Sequence, residues 1–152
     1  MEDPTAIGHE PATYERDVYG WANEQAALLR GGQLARADIE NIAEEIESLG
    51  RSEKSELVNR LSVLLAHLLK WRFQPGLRST SWELSIEEQR RRIAIHMRGN
   101  PSLRSSLLEI TDDAYSIALL QAQRQTKLKS TTFPPRCPYD FAQVINEEFW
   151  PK

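Results

Sequence analysis

The side chains with the most chemical scope gather around one stretch of the chain. Glu56, Arg60, Val63, His67, Lys70 and Gln74 recur at steps of three and four, so they share one flank of a helix. A histidine there can act as a base near neutral pH, with a lysine less than one turn on to hold an anion. The plainer reading is a boundary histidine with one hydrogen bond and a lysine whose head reaches water. Just downstream, Trp71, Phe73 and Trp82 bracket a segment holding Arg72, Gln74 and Arg78. Rings beside arginines can stack bases or cradle a phosphate, and they can equally lock a loop onto its scaffold. Pro75 and Gly76 turn the chain, and Trp82 follows six residues later. A link that short predicts Trp71 and Trp82 closing around a shallow pocket, with His67, Lys70 and Arg78 at its rim. Glu44 and Glu45 complete the candidate site, as acid–base partners or as carboxylates for that rim.

Other chemistries lack their motifs. Helical carboxylate metal sites use Glu-x-x-His pairs, but the positions three before His67 and His96 hold Leu64 and Ile93. His-Glu-x-x-His is absent, and a single cysteine, Cys137, cannot build a structural zinc site. We therefore expect no metal and no cofactor. Gly-x-Ser-x-Gly, the phosphate-binding P-loop and Gly-x-Gly-x-x-Gly are also missing. Cys137 sits in Pro-Arg-Cys-Pro, where it reads as a small buried plug. In Arg90-Arg91-Arg92 the side chains point about 100° apart, so they form no single patch. Glu87 with Arg91 and Glu88 with Arg92 are i,i+4 pairs, which leaves Arg90 without a reason.

Composition narrows the class. The 152 residues are 40% hydrophobic and 27% charged, a globular balance that fits one domain. The acidic start has no apolar core like that of a signal peptide, and polar residues interrupt Leu57–Leu69, the most apolar stretch. The expected location is the cytoplasm, without a membrane partner. The net charge of -3 conceals an asymmetry. Residues 1–50 carry 3 basic and 11 acidic side chains, whereas residues 51–104 carry 11 and 5. Either the two parts face each other within the fold, or residues 51–104 offer a basic face to an anionic partner. The overall balance favours the first over nucleic-acid binding.

The elements that position these residues are helical. Residues 1–13 read as a loose N-terminal tail and residues 14–152 as a single all-α domain. A first helix is expected over 14–30, stopped by Gly31-Gly32. A second covers 37–49. The apolar stripe then jumps phase, and Gly50 with Ser52 predicts a break. The third, near 52–73, is amphipathic and central, with Leu57, Leu61, Leu64, Leu68 and Trp71 at alternating steps. Residues 74–84 read as a loop, and Ser85 with Glu88 as a capping box opening a helix to about residue 98. Asn100-Pro101 opens another to about residue 128. Pro134, Pro135 and Pro138 keep the next stretch extended, and Asp140 with Gln143 caps a short last helix. About six helices with short links imply a bundle.

The motif His67-Leu68-Leu69-Lys70-Trp71, followed by Gln74-Pro75, Arg78 and Ser81-Trp82, resembles the signature of a bacterial family, domain of unknown function 29. The stretch Glu44–Gly50, Tyr14-x-x-Asp17 with Trp21, Phe133-Pro134 with Cys137-Pro138, and Phe149-Trp150-Pro151 are similar to the same family. The resemblance spans about residues 12–151. It implies an all-helical bacterial protein and no settled activity, so it assigns no catalytic residue. The expected function is a non-enzymatic helical interaction module that self-associates or binds a partner protein. The alternatives are a nucleic-acid-associated protein using residues 51–104, and an enzyme with acid–base chemistry near Glu44, Glu45, His67 and Lys70.

Overall fold

The computed structural model describes residues 11–152, which form five α-helices and four short 3-10 turns and contain no strand. The all-α class is as the sequence predicts, with five helices in place of six. The helices are α1 (Val18–Arg30), α2 (Ile39–Phe73), α3 (Thr80–Gly99), α4 (Leu107–Thr126) and α5 (Phe141–Ile145). No helix among the described residues is long and apolar enough to cross a membrane. Most of the tail expected over residues 1–13 lies outside the described residues.

The chain divides into two compact units, residues up to Gly50 and Arg51–Lys152. In the first, Asp17 caps α1 by accepting from the Gly20 amide, so the helix begins at Val18 rather than Tyr14. Gly32 ends it at φ 69°, a left-handed conformation that favours glycine. Trp21 and Gln25 are the buried residues of α1. The Trp21 indole N–H donates to Asp38 Oδ2 at 3.0 Å, Gln25 Oε1 accepts from the Asp38 amide at 2.7 Å, and Tyr14 meets Trp21 edge-on. Little else in this unit is covered. Val18, Tyr19, Leu34, Ile39, Ile46 and Leu49 are all more than half exposed.

The expected break at Gly50 does not occur, because α2 continues through it to Phe73. A glycine inside a helix costs about 1 kcal/mol relative to alanine, too little to force an end. The phase jump needs no break either. Ile39, Ile46 and Leu49 are exposed, so the stripe before Gly50 does not have to stay in register with the buried one after it.

In the second unit the later part of α2 carries the core. Leu57, Leu61, Leu64, Leu65, Leu68 and Leu69 are fully buried. Around them pack Ile86 and Ile93 of α3, Ile110, Ala114 and Ala118 of α4, then Phe133 and Val144. Each of the buried leucine, isoleucine, valine and phenylalanine side chains contributes about 1.5–3 kcal/mol through burial. The segment read as a loop over 74–84 is largely helix. Ser79 accepts from the Trp82 amide and starts α3 at Thr80, one and a half turns before the expected Ser85 cap. Pro101 begins a 3-10 turn over Pro101–Ser106, so α4 starts only at Leu107. Lys127 ends α4 at φ 62°. The capping box of Asp140 and Gln143 forms as predicted, although α5 is five residues long.

Candidate functional site

The second unit brings five of the seven candidate site residues into one neighbourhood. His67 lies on α2, and its Nδ1 donates to the Val63 carbonyl at 2.8 Å in the neutral form. Burial holds its pKa below the ordinary histidine range, and the Lys70 charge adds to this. Lys70 is buried despite its charge. Its Nζ donates to Gln125 Oε1 at 2.9 Å and lies 4.6 Å from the centre of the Trp82 ring. Burial lowers its pKa from the ordinary lysine value. The lysine head is therefore met by an amide and a ring rather than by water.

Trp71 packs against Trp150, with ring centres 4.7 Å apart. The Arg78 guanidinium lies 4.8 Å from the Trp71 ring centre and donates through Nε to the Trp71 carbonyl at 2.8 Å. It also reaches the Pro151 carbonyl at 3.4 Å. Trp82 occupies the first turn of α3 rather than a loop. Glu44 and Glu45 sit on the part of α2 that belongs to the first unit, both exposed. Glu45 accepts a hydrogen bond from the Tyr14 hydroxyl, which raises the Tyr14 pKa.

Sequence reasoning missed Arg90. It is 2% exposed, donating through Nε to the Val144 carbonyl at 2.9 Å and through Nη2 to the Phe149 carbonyl at 2.6 Å. The guanidinium stands 5.3 Å from the Trp150 ring centre, and its Nη1 is buried without a hydrogen-bond partner. The signal was present in the sequence. Arg92 pairs with Glu88, and Arg91 stays exposed on another side of α3. The arginine with no local reason was the one the core uses.

Beside Arg90 runs a groove of about 800 Å³. Its lining is mainly apolar, including Ile93, Met97, Leu107, Phe141 and Ile145. Arg91, Arg98 and Arg104 also line it, and none of them forms an ion pair among the described residues. Other basic side chains of residues 51–104 are already engaged within this unit, Lys54 by Glu109 at 3.1 Å and Arg60 by Glu56 at 2.7 Å.

Those residues, from Tyr14 to Trp150, are what a family comparison recognises. The profile of the family described as Domain of unknown function DUF29 matches residues 13–150. The chain belongs to this family. Comparisons with curated proteins and with solved structures return no match.

Proposed function

We propose that this DUF29 chain is a non-enzymatic interaction module that self-associates, the arginine-rimmed groove of one copy taking the acidic helical stretch Ile39–Leu49 of another. The observation that carries the reading is the groove itself, with an apolar floor and three arginines without acidic partners among the described residues. Such a rim favours an occupant with acidic flanks and an apolar face. The chain holds a stretch of that kind. Ile39, Ile46 and Leu49 are more than half exposed, and Glu40, Glu44, Glu45 and Glu47 lie among them. An exposed apolar face of this sort marks an association surface. The acid–base alternative draws less support, because Lys70 is held by Gln125 and Trp82 and His67 donates to its own helix. Nucleic-acid binding draws less as well, with Lys54, Arg60 and Arg92 paired to glutamates and Arg90 buried.

Complementation tests the reading. Arg98→Glu spoils the groove and leaves the helix, whereas Ile46→Asp spoils the helix and leaves the groove. Light scattering after gel filtration should show wild type associating as concentration rises and each variant staying monomeric. An equimolar mixture of the two should recover a 1:1 pair, because one intact groove meets one intact helix. A wild type that is monomeric throughout, or a mixture that does not pair, refutes self-association through this surface.

A further inference from the structure

A second cluster, outside the groove and the tryptophan neighbourhood, joins α2 to α3 within the second unit. Glu53 and Glu56 stand one turn apart on α2, and His96 comes from the last turn of α3. One ligand-capable atom from each lies within 4.8 Å of the others. The His96 side chain is only 8% exposed. Its Nε2 lies 2.8 Å from the Glu53 carbonyl oxygen, the geometry of an N–H donating to the backbone. In the neutral ring that bond fixes the tautomer and leaves Nδ1 with its lone pair. Nδ1 makes no hydrogen bond and faces Glu56 Oε2 at 3.6 Å.

From these features we infer that Glu53, Glu56 and His96 form a binding site for a divalent cation of the zinc class. A tetrahedral zinc ion, with ligands at about 2.0–2.2 Å, holds a histidine nitrogen and a carboxylate oxygen about 3.4 Å apart. The separation of 3.6 Å is therefore too long for a good hydrogen bond and close to that of two ligands on one ion. The surroundings point the same way. Metal-bound histidines commonly donate their other ring N–H to a carbonyl, as His96 does to Glu53. The Arg60 guanidinium donates twice to Glu56 Oε1, which orients the carboxylate and leaves Oε2 turned to His96. Glu53 Oε2 lies 3.5 Å from His96 Nε2, where Asn100 Nδ2 donates to it at 3.2 Å, and it turns toward Nδ1 to serve as the third ligand. The two glutamates are partly exposed, so they can rotate onto an ion, and water can fill the fourth position. Imidazole with carboxylates suits zinc and its first-row neighbours better than magnesium or calcium, which prefer oxygen alone. An ion here clamps the end of α3 to α2. The sequence hid the site because its ligands come from two helices 40 residues apart, as Glu56 and His96, and match no local motif.

The test uses the full chain treated with EDTA and dialysed, then titrated calorimetrically with zinc(II) alone. Binding should show one site per chain and raise the Tm, and cobalt(II) should give the visible bands of a low-symmetry site. Cys137→Ser should leave all of this unchanged. Glu56→Gln and His96→Gln should each weaken zinc binding about tenfold or more. Glu56→Gln keeps the amide–Arg60 contact, and circular dichroism confirms that each variant is folded. Zinc that binds Glu56→Gln or folded His96→Gln as tightly as wild type overturns the inference. So does a wild-type chain that takes up no zinc.

Discussion

Arg90→Met isolates what a buried guanidinium does for this fold. Methionine keeps an unbranched chain and apolar contact, but removes the donors to the Val144 and Phe149 carbonyls. Hydrogen bonds from charged groups are worth about 1.5–3 kcal/mol each. The Trp150 ring 5.3 Å away adds a cation–π contribution of about 1 kcal/mol. Against these stands the cost of burying the charge, which the variant no longer bears. Burial lowers the Arg90 pKa, yet an arginine stays charged at any ordinary pH. Phe149 is partly exposed, so water recovers some of what its carbonyl loses, whereas Val144 is fully buried. The expected net loss is about 3 kcal/mol, or a Tm lower by about 6–12 °C for a chain of this length. Urea unfolding followed by circular dichroism measures the first quantity. Carboxypeptidase digestion should also release residues from the C-terminus faster, because the arginine holds residues 144–150. Arg92→Met, which removes only an exposed pair with Glu88, should cost no more than about 0.5 kcal/mol. A loss below about 1 kcal/mol for Arg90→Met, or an equal loss for both variants, would refute the tethering argument.

Leu64→Ala should cost about 2–5 kcal/mol in the same unfolding assay, since Leu64 is fully buried and alanine leaves a cavity. Lys127→Gly should stabilise by about 0.5–1 kcal/mol, relieving the left-handed backbone at φ 62° and partly offset by the greater freedom of glycine when unfolded. For His67 the folded pKa lies below the unfolded value of about 6.5, so the unfolded chain takes up its proton first. Its contribution is complete above that value and is lost as pH falls below it. His67→Gln should therefore flatten the decline in stability between about pH 7 and pH 5, and an unchanged slope would show that burial of His67 is not its cause.

The helices and the core were legible because leucine periodicity on α2 is strong, and every seam leucine from Leu57 to Leu68 is buried. Boundaries were harder. At Gly50 the sequence offers a glycine, a capping serine and a phase change together, yet a continuing ladder of backbone hydrogen bonds outweighs the small cost of glycine. At Ser79 the cap forms without a capping-box partner, and Ser85 with Glu88 makes the stronger local pattern in the sequence. Lys70, Trp71, Arg78 and Trp82 were legible as a neighbourhood because a short connection holds them together. Their partners were not. Gln125, Trp150 and Pro151 arrive from 55 to 79 residues further along the chain, and periodicity carries no information at that range.

Those distant partners also separate the tryptophan motifs from the surfaces proposed to bind. Trp71 packs against Trp150, Arg78 reaches the Pro151 carbonyl, and Arg90 holds the Phe149 carbonyl. The motifs after His67 and the closing Phe149-Trp150-Pro151 thus meet in space, each filling the hydrogen bonds and ring faces of the other. A charged or aromatic group whose partner lies within its own chain has little left to offer a ligand. Lys70, Arg78 and Arg90 are occupied in this sense, whereas Arg91, Arg98 and Arg104 have no acidic partner among the described residues. The residues easiest to recognise in the sequence fasten the C-terminal segment onto α2 and α3. Chemistry directed outward is better sought along the groove, where charges lack partners among the described residues, and where His96 Nδ1 faces Glu56 without a hydrogen bond.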